Sequence, residues 1–277
     1  MRGRTFLAVA FLGAGCAYSG KSIDAHAHFE SDSAPGRIQP KLSGRPDVLL
    51  EQMDRAGVER TVLLVVPPTN DLAAAREMHD QVAAVARAHP GRFIPVGAVQ
   101  PSDGEAGLRE LERIASMGYR GVKLSPSKLE LQTPEVQAFV GRATALKLVV
   151  YIEGWWPGAA HETGKLALAF PSGRFVLTHM GGIRFDDVLV FRLLELYPFY
   201  PRNVWFDLSA VAPLYVASPY ADQLRFVCRS VGTDRVLFGS DFPLTGLEPA
   251  LKAVQRLGFS RQEEQAILHD NADALFR

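Results

Sequence analysis

Apolar runs of strand length alternate with amphipathic helical stretches along almost the whole chain. A first strand opens at Ser22-Ile23, and a Pro/Gly-rich loop leads to a helix from Pro46 to Ala56 that ends at Gly57. Arg60 to Val66 is a β-branched run stopped by Pro67-Pro68, and Asp71 caps a helix reaching about His89. The alternation predicts further strands over Phe93–Val99, Tyr119–Leu124, Leu148–Ile152, Phe175–Thr178, Val204–Leu208 and Arg235–Phe238. Helices are predicted over Gly104–Met117, from Thr133-Pro134, and over Glu162–Ala169, Asp186–Leu196, Ser218–Val231 and Glu248–Leu257, with a last helical stretch from Arg261. Strands alternating with helices imply parallel pairing. Eight of them in this length, with no linker between, predict an α/β fold: one closed (β/α)8 TIM barrel spanning 21–277.

Residues 1–20 fall outside that pattern. A basic start, Met1-Arg2-Gly3-Arg4, precedes an apolar run from Phe6 to Cys16 that is too short to span a membrane. This is the layout of an export signal. Gly15-Cys16-Ala17 resembles the end of a bacterial lipoprotein signal, although Leu12 lies four residues before Cys16 and not three. The expectation is an exported chain, periplasmic or anchored to the envelope through a lipid on Cys16. The alternative is a mis-assigned start and a cytoplasmic enzyme beginning near Lys21. Only Cys228 follows Cys16, so no disulfide is expected in the mature chain.

Formal net charge is zero, with 30 basic and 30 acidic residues and no basic tract, which argues against nucleic acid as a partner. The polar residues that matter gather at the predicted strand ends, where barrel enzymes carry their chemistry. His26 and His28 end the first strand and, two apart, share a face. Lys123 ends the fourth strand, Glu153 the fifth and His179 the sixth; Asp207 lies late in the seventh, and Asp241 ends the eighth. The other histidines, His79, His89, His161 and His269, fall in helices or loops and are expected in solvent.

These segments resemble the amidohydrolase superfamily, in its amidohydrolase-related branch. The resemblance rests on Ile23-Asp24-Ala25-His26-Ala27-His28-Phe29, Met53-Asp54-Arg55-Ala56-Gly57-Val58, Gly121-Val122-Lys123-Leu124, Thr178-His179-Met180-Gly181-Gly182 and Leu237-Phe238-Gly239-Ser240-Asp241-Phe242-Pro243. The close, Asn271-Ala272-Asp273-Ala274-Leu275-Phe276, is similar as well, so the resemblance runs from about residue 21 to the end. It implies one divalent metal ion, zinc first and manganese or iron as alternatives, held by His26, His28, a strand-five histidine and Asp241. It also implies a catalytic His179 that orients or polarises substrate or water. Asp241 would double as the carboxylate that moves a proton, and a homodimer is compatible with similar barrels.

At strand five this chain departs from the pattern, because Glu153 stands where a histidine is expected. Glu153 is read first as a metal ligand, giving His26, His28, Glu153 and Asp241. The alternatives are an acid/base or substrate-binding group, and a decayed site. Lys123 meets a substrate carboxylate, is carboxylated as in binuclear relatives, or balances Glu153 or Asp241, and Asp207 is expected to hydrogen-bond a ligand histidine or a neighbouring backbone group. Trp155 and Trp156 would wall the pocket, and Arg184 could recognise an anion. The expected activity is metal-dependent hydrolysis of an ester, lactone or amide-type bond in a small molecule. Non-oxidative decarboxylation of an aromatic or unsaturated acid is the enzymatic alternative, and an exported, non-catalytic barrel is the alternative from another class.

Overall fold

The computed structural model describes residues 20–29, 45–67, 71–124 and 131–277. The export and lipidation expectations for residues 1–19 lie outside the described residues. Eight parallel strands form one sheet in sequence order: β1 (Ser22–Phe29), β2 (Val58–Val65), β3 (Phe93–Ala98), β4 (Gly121–Leu124), β5 (Val149–Ile152), β6 (Arg174–Leu177), β7 (Val204–Asp207) and β8 (Val236–Leu237). The sheet closes on itself because the chain at and beyond β8 bonds back to β1. Ala25 N donates to Phe238 O at 2.8 Å, Asp241 N to His26 O at 2.8 Å, and His28 N to Phe242 O at 2.7 Å. The expected barrel is what forms.

Around it lie α1 (Pro46–Ala56), α2 (Leu72–Ala88), α3 (Gly104–Ser116), α4 (Pro134–Ala145), α5 (Ala159–Ala169), α6 (Leu189–Leu194), α7 (Val211–Tyr215), α8 (Ala221–Ser230), α9 (Leu247–Arg256), α10 (Arg261–Gln265) and α11 (Asn271–Phe276). Local signals start several of these. Asp71 accepts from Ala74 N at the head of α2, Thr133 from Val136 N before Pro134 of α4, and Ser260 caps α10 with Glu263 answering. Gly57 ends α1 in the left-handed conformation at φ 70°. None of the described helices is long and apolar enough to cross a membrane.

Side-chain alternation sorts each strand into two cores. Ile23, Ala25, Val62, Leu64, Ile94, Val96, Val149, Tyr151, Val176 and Leu237 fill the lumen, stoppered by Leu275 and Phe276 of α11. Their neighbours Leu63, Val65, Val122, Leu124, Val150, Ile152, Leu177 and Phe206 pack outward under the helices. That parity sends Lys123 and Asp207 toward the barrel axis at the strand ends.

Two segments differ from expectation. The helix predicted over Asp186–Leu196 is confined to Leu189–Leu194, because Thr178–Val188 forms tight turns with His179, Met180, Gly181 and Gly182 all at positive φ. His79 is not in solvent: it is fully buried between α2 and α3. Its Nδ1 meets Glu110 Oε1 at 2.7 Å and its Nε2 accepts from Ala98 N at 3.0 Å, tying both helices to the end of β3.

Candidate metal centre

β1 delivers the two histidines by an irregularity. Between Asp24 and Ala27 it advances three residues while β2 advances two, from Thr61 to Leu63, which is a one-residue bulge. Regular alternation from the lumen residues Ile23 and Ala25 would turn His26 and His28 out toward the helices. The bulge re-aims both inward, and it is Ala27 that packs outward. His26 Nε2 and His28 Nε2 then stand 3.2 Å apart. Asp241 Oδ1 lies 3.0 Å from His28 Nε2 and 3.6 Å from His26 Nε2.

A second set of bonds fixes which atoms carry protons. His26 Nδ1 donates to Asp207 Oδ2 at 3.0 Å, so in the neutral ring its Nε2 presents a lone pair. The other oxygen of Asp207 accepts from His179 N at 3.0 Å, Ser209 N at 3.1 Å and the Ser209 hydroxyl. Asp24, fully buried, clamps β1 to the segment beyond β8. It takes Ser240 N at 2.8 Å, Ser240 Oγ at 2.6 Å and His26 N at 3.0 Å.

Burial governs the electrostatics. It pushes the Asp24 carboxyl up to about 7 against its Ser240 bonds. It pushes His28 down to about 4, and it lowers His179 with help from neighbouring His26. Burial alone would lower His26, but Asp207 and Asp241 together move it upward. Asp207 and Asp241 are held below the carboxylate range despite burial, chiefly by His26 for the first and His28 for the second.

These residues suit a divalent cation. Two buried imidazole nitrogens and a carboxylate oxygen face one another at 3.0–3.6 Å. Two ligands each about 2.1 Å from one ion lie at most about 4.2 Å apart, so this triangle has the span of a coordination face. His26, His179 and Asp241 form a second triangle with ligand atoms all within 4.8 Å of one another.

Glu153 is not part of either triangle. Its Oε2 pairs with Lys123 Nζ at 2.9 Å, and its Oε1 lies 3.3 Å from Thr178 Oγ1 and 3.5 Å from His179 Nε2. Burial would raise this carboxyl, but Lys123 and His179 hold it at about 2. Gly154 permits the arrangement, since a Cβ there would strike Thr178 O at 1.9 Å. Of the roles open to Lys123, the structure shows the ion pair with Glu153. Trp155 stacks on His179, with ring centres 4.9 Å apart, and keeps 42% of its surface exposed. Arg184 lies out on the surface, bonded to Asp187 at 3.0 Å. Sequence reasoning missed Ser209 and the Asp24–Ser240 clamp; a hydroxyl two residues after Asp207 was the available signal for the former.

Fold and site together define a barrel enzyme with a buried cluster of histidines and carboxylates at the carboxyl ends of its strands. The chain belongs to the amidohydrolase family, whose sequence profile matches residues 23–277. It is 27% identical to the 2-amino-3-carboxymuconate-6-semialdehyde decarboxylase of Dictyostelium discoideum, covering 82% of this chain and 75% of that one. Among solved structures it is similar to a 2,6-dihydroxybenzoate decarboxylase complexed with 2,6-dihydroxybenzoate (TM-score 0.73, 21% identity, 93% and 98% of the two chains covered). A second is a dihydroxybenzoic acid decarboxylase from Polaromonas sp. JS666 with bound manganese and 2-nitroresorcinol (TM-score 0.71, 20% identity, 93% and 97% covered). The expectation of a hydrolase is corrected by these relatives, which are decarboxylases. The scaffold is shared by both chemistries, so strand-end motifs alone did not separate them. A single divalent metal fits the cluster, and its identity is not fixed to zinc.

Proposed function

We propose that this enzyme is a metal-dependent, non-oxidative decarboxylase of an aromatic or unsaturated carboxylic acid. The observation that carries the reading is the meeting of His26 Nε2, His28 Nε2 and Asp241 Oδ1 at one point in the barrel mouth, in a chain whose relatives are decarboxylases. We assign those three residues to the metal. Bound there, a divalent ion supplies a Lewis acid for substrate oxygens and for the negative charge that develops as carbon dioxide leaves.

The rest falls to the protein's own groups. In the overall reaction one carbon–carbon bond breaks, carbon dioxide departs, and the carbon left behind takes one proton. We assign the transfer to Asp241: ionised at rest, it takes a proton from solvent on the oxygen turned away from the histidines and passes it to that carbon, which leaves the carboxylate ionised again. Lys123 has three N–H donors, of which Glu153 engages one, so its ammonium is poised to meet a substrate oxygen. The exposed face of Trp155 offers a flat apolar wall for a planar substrate.

The test uses protein loaded with one equivalent of Mn²⁺ and incubated with 2,6-dihydroxybenzoate, other hydroxybenzoates and carboxymuconate-type acids. Release of carbon dioxide, with one deuterium on the product carbon in D₂O, is the expected result. Stoichiometric metal with no carbon dioxide from any of these acids overturns the reading.

A further inference from the structure

We infer that His179 is itself a ligand of the metal, supplying from β6 the third imidazole that β5 lacks because Glu153 stands there. This rests on the metal site proposed above. The protons on the ring nitrogens come first. His179 Nδ1 lies 3.2 Å from Ser209 O, a carbonyl that can only accept. It lies 2.9 Å from Ser209 Oγ, whose own hydrogen goes to Asp207. Nδ1 is therefore the protonated nitrogen, and the neutral ring presents a lone pair at Nε2. In that form Nε2 cannot donate to a substrate oxygen or to a developing oxyanion, but it is made for a cation.

The same two residues anchor His26, here with Asp207 as the main acceptor. Asp207 accepts from His26 Nδ1 at 3.0 Å, and Ser209 Oγ lies 3.2 Å from that nitrogen. A metal-bound histidine almost always anchors its other nitrogen on a carboxylate or carbonyl in this way. One Asp207–Ser209 unit thus aims two Nε2 lone pairs, and the two rings lie 4.8 Å apart. One nitrogen of each ring and an oxygen of Asp241 fall within 4.8 Å of one another, under 1 Å wider than the span of about 4.2 Å that one ion allows. His28 reaches this group through His26 Nε2 at 3.2 Å and Asp241 Oδ1 at 3.0 Å.

The backbone is bent to the same end. His179 and Asp241 both adopt the left-handed region, at φ 54° and 61°, which a residue with a Cβ holds only where its surroundings impose it. Each is locked there through its backbone N–H, His179 by Asp207 and Asp241 by the carbonyl of His26. Glu153 is held by Lys123 and Thr178 and comes to 3.5 Å from Nε2, but it lies outside the group formed by His26, His179 and Asp241. The donor set becomes His26, His28, His179 and Asp241, three imidazoles and one carboxylate, with Glu153 released to hold Lys123.

The experiment counts nitrogens. Wild-type protein labelled with ¹⁵N-histidine is loaded with Mn²⁺, and electron–nuclear resonance counts the histidine nitrogens coupled to the ion; chelator competition gives the affinity. Three coupled nitrogens are expected in the wild type. His179→Ala should leave two and weaken binding at least tenfold, with His179→Gln intermediate. Two nitrogens in the metal-loaded wild type overturn the inference and leave the metal site standing, whatever the variants do. A wild type that takes up no metal overturns both readings. The count on wild-type protein holds even if neither variant folds.

Discussion

Replacing Asp207 with asparagine probes the hinge of this site, because the two oxygens of Asp207 have different tasks. One accepts from three donors: His179 N at 3.0 Å, Ser209 N at 3.1 Å and the Ser209 hydroxyl. In Asp207→Asn the single amide oxygen must take that place, so the new NH₂ faces His26 Nδ1, where Asp207 now accepts at 3.0 Å. Two donors cannot share that gap, and His26 escapes by moving its proton to Nε2. The relocated N–H points at Asp241 Oδ1, 3.6 Å away, and removes the lone pair the metal needs. Losing the outer partner of a metal-bound histidine costs about 10–100-fold in affinity. The lost lone pair puts Asp207→Asn at the upper end, about 100-fold, or about 2.8 kcal/mol. Stability of the metal-free protein should change by only about 1 kcal/mol, since a new bond from His26 to Asp241 offsets the lost one. Chelator competition with Mn²⁺, paired with urea unfolding of the metal-free form, measures both. Affinity within threefold of wild type, or a loss that merely tracks a lost folded fraction, would refute the reasoning.

Glu153→Gln should leave Mn²⁺ affinity within about threefold while lowering kcat/KM about 10–100-fold, the worth of a charged hydrogen bond at Lys123; a tenfold loss of affinity instead would make Glu153 a ligand. Glu110, fully buried, accepts from Arg76 at 2.8 Å and is forked by Arg113, so Glu110→Gln should destabilise by about 3 kcal/mol at pH 7. Burial would raise this carboxyl, but His79, Arg113 and Arg76 hold it at about 2. Its unfolded value is about 4.3, so its contribution is complete above that pH and lost as pH falls toward 2. Urea midpoints at pH 6 and pH 3 should therefore converge between wild type and Glu110→Gln; a gap that stays constant counts against the network. Chelation should lower the wild-type Tm, and Mn²⁺ restored at 100 times its Kd should return about 2.7 kcal/mol, read by thermal unfolding. A Tm indifferent to metal contradicts the site.

How far the sequence discloses this site depends on the distance over which each position is decided. The eight strands are legible because each is a short buried run whose parity is local: Val122 and Leu124 face the helices, so Lys123 must face the axis. Parity fails for the pair on which the metal reading rests. Counted from Ile23 and Ala25, which fill the lumen, His26 and His28 belong on the outer face, and only the extra residue between Asp24 and Ala27 turns them inward. Nothing in Asp24-Ala25-His26-Ala27 announces a bulge. It is held by contacts across the closing seam, from Asp24 to Ser240, 216 positions away, and from His26 O to Asp241 N. Those contacts are also what brings Asp241 to the histidines, so the bulge and the metal triangle are one structural event, and neither forms until β1 meets the chain beyond β8. His79 follows the same logic on a helix. Its polarity suggests solvent, yet Glu110 and Ala98 N, 31 and 19 positions away, satisfy both ring nitrogens and let it be buried. Ser209 is the extreme case, because a serine two residues past Asp207 draws no notice until His26 and His179 converge on it from separate strands. Which nitrogen of His179 carries the proton, and with it the role of that ring, is decided by a side chain that no strand-end pattern singles out.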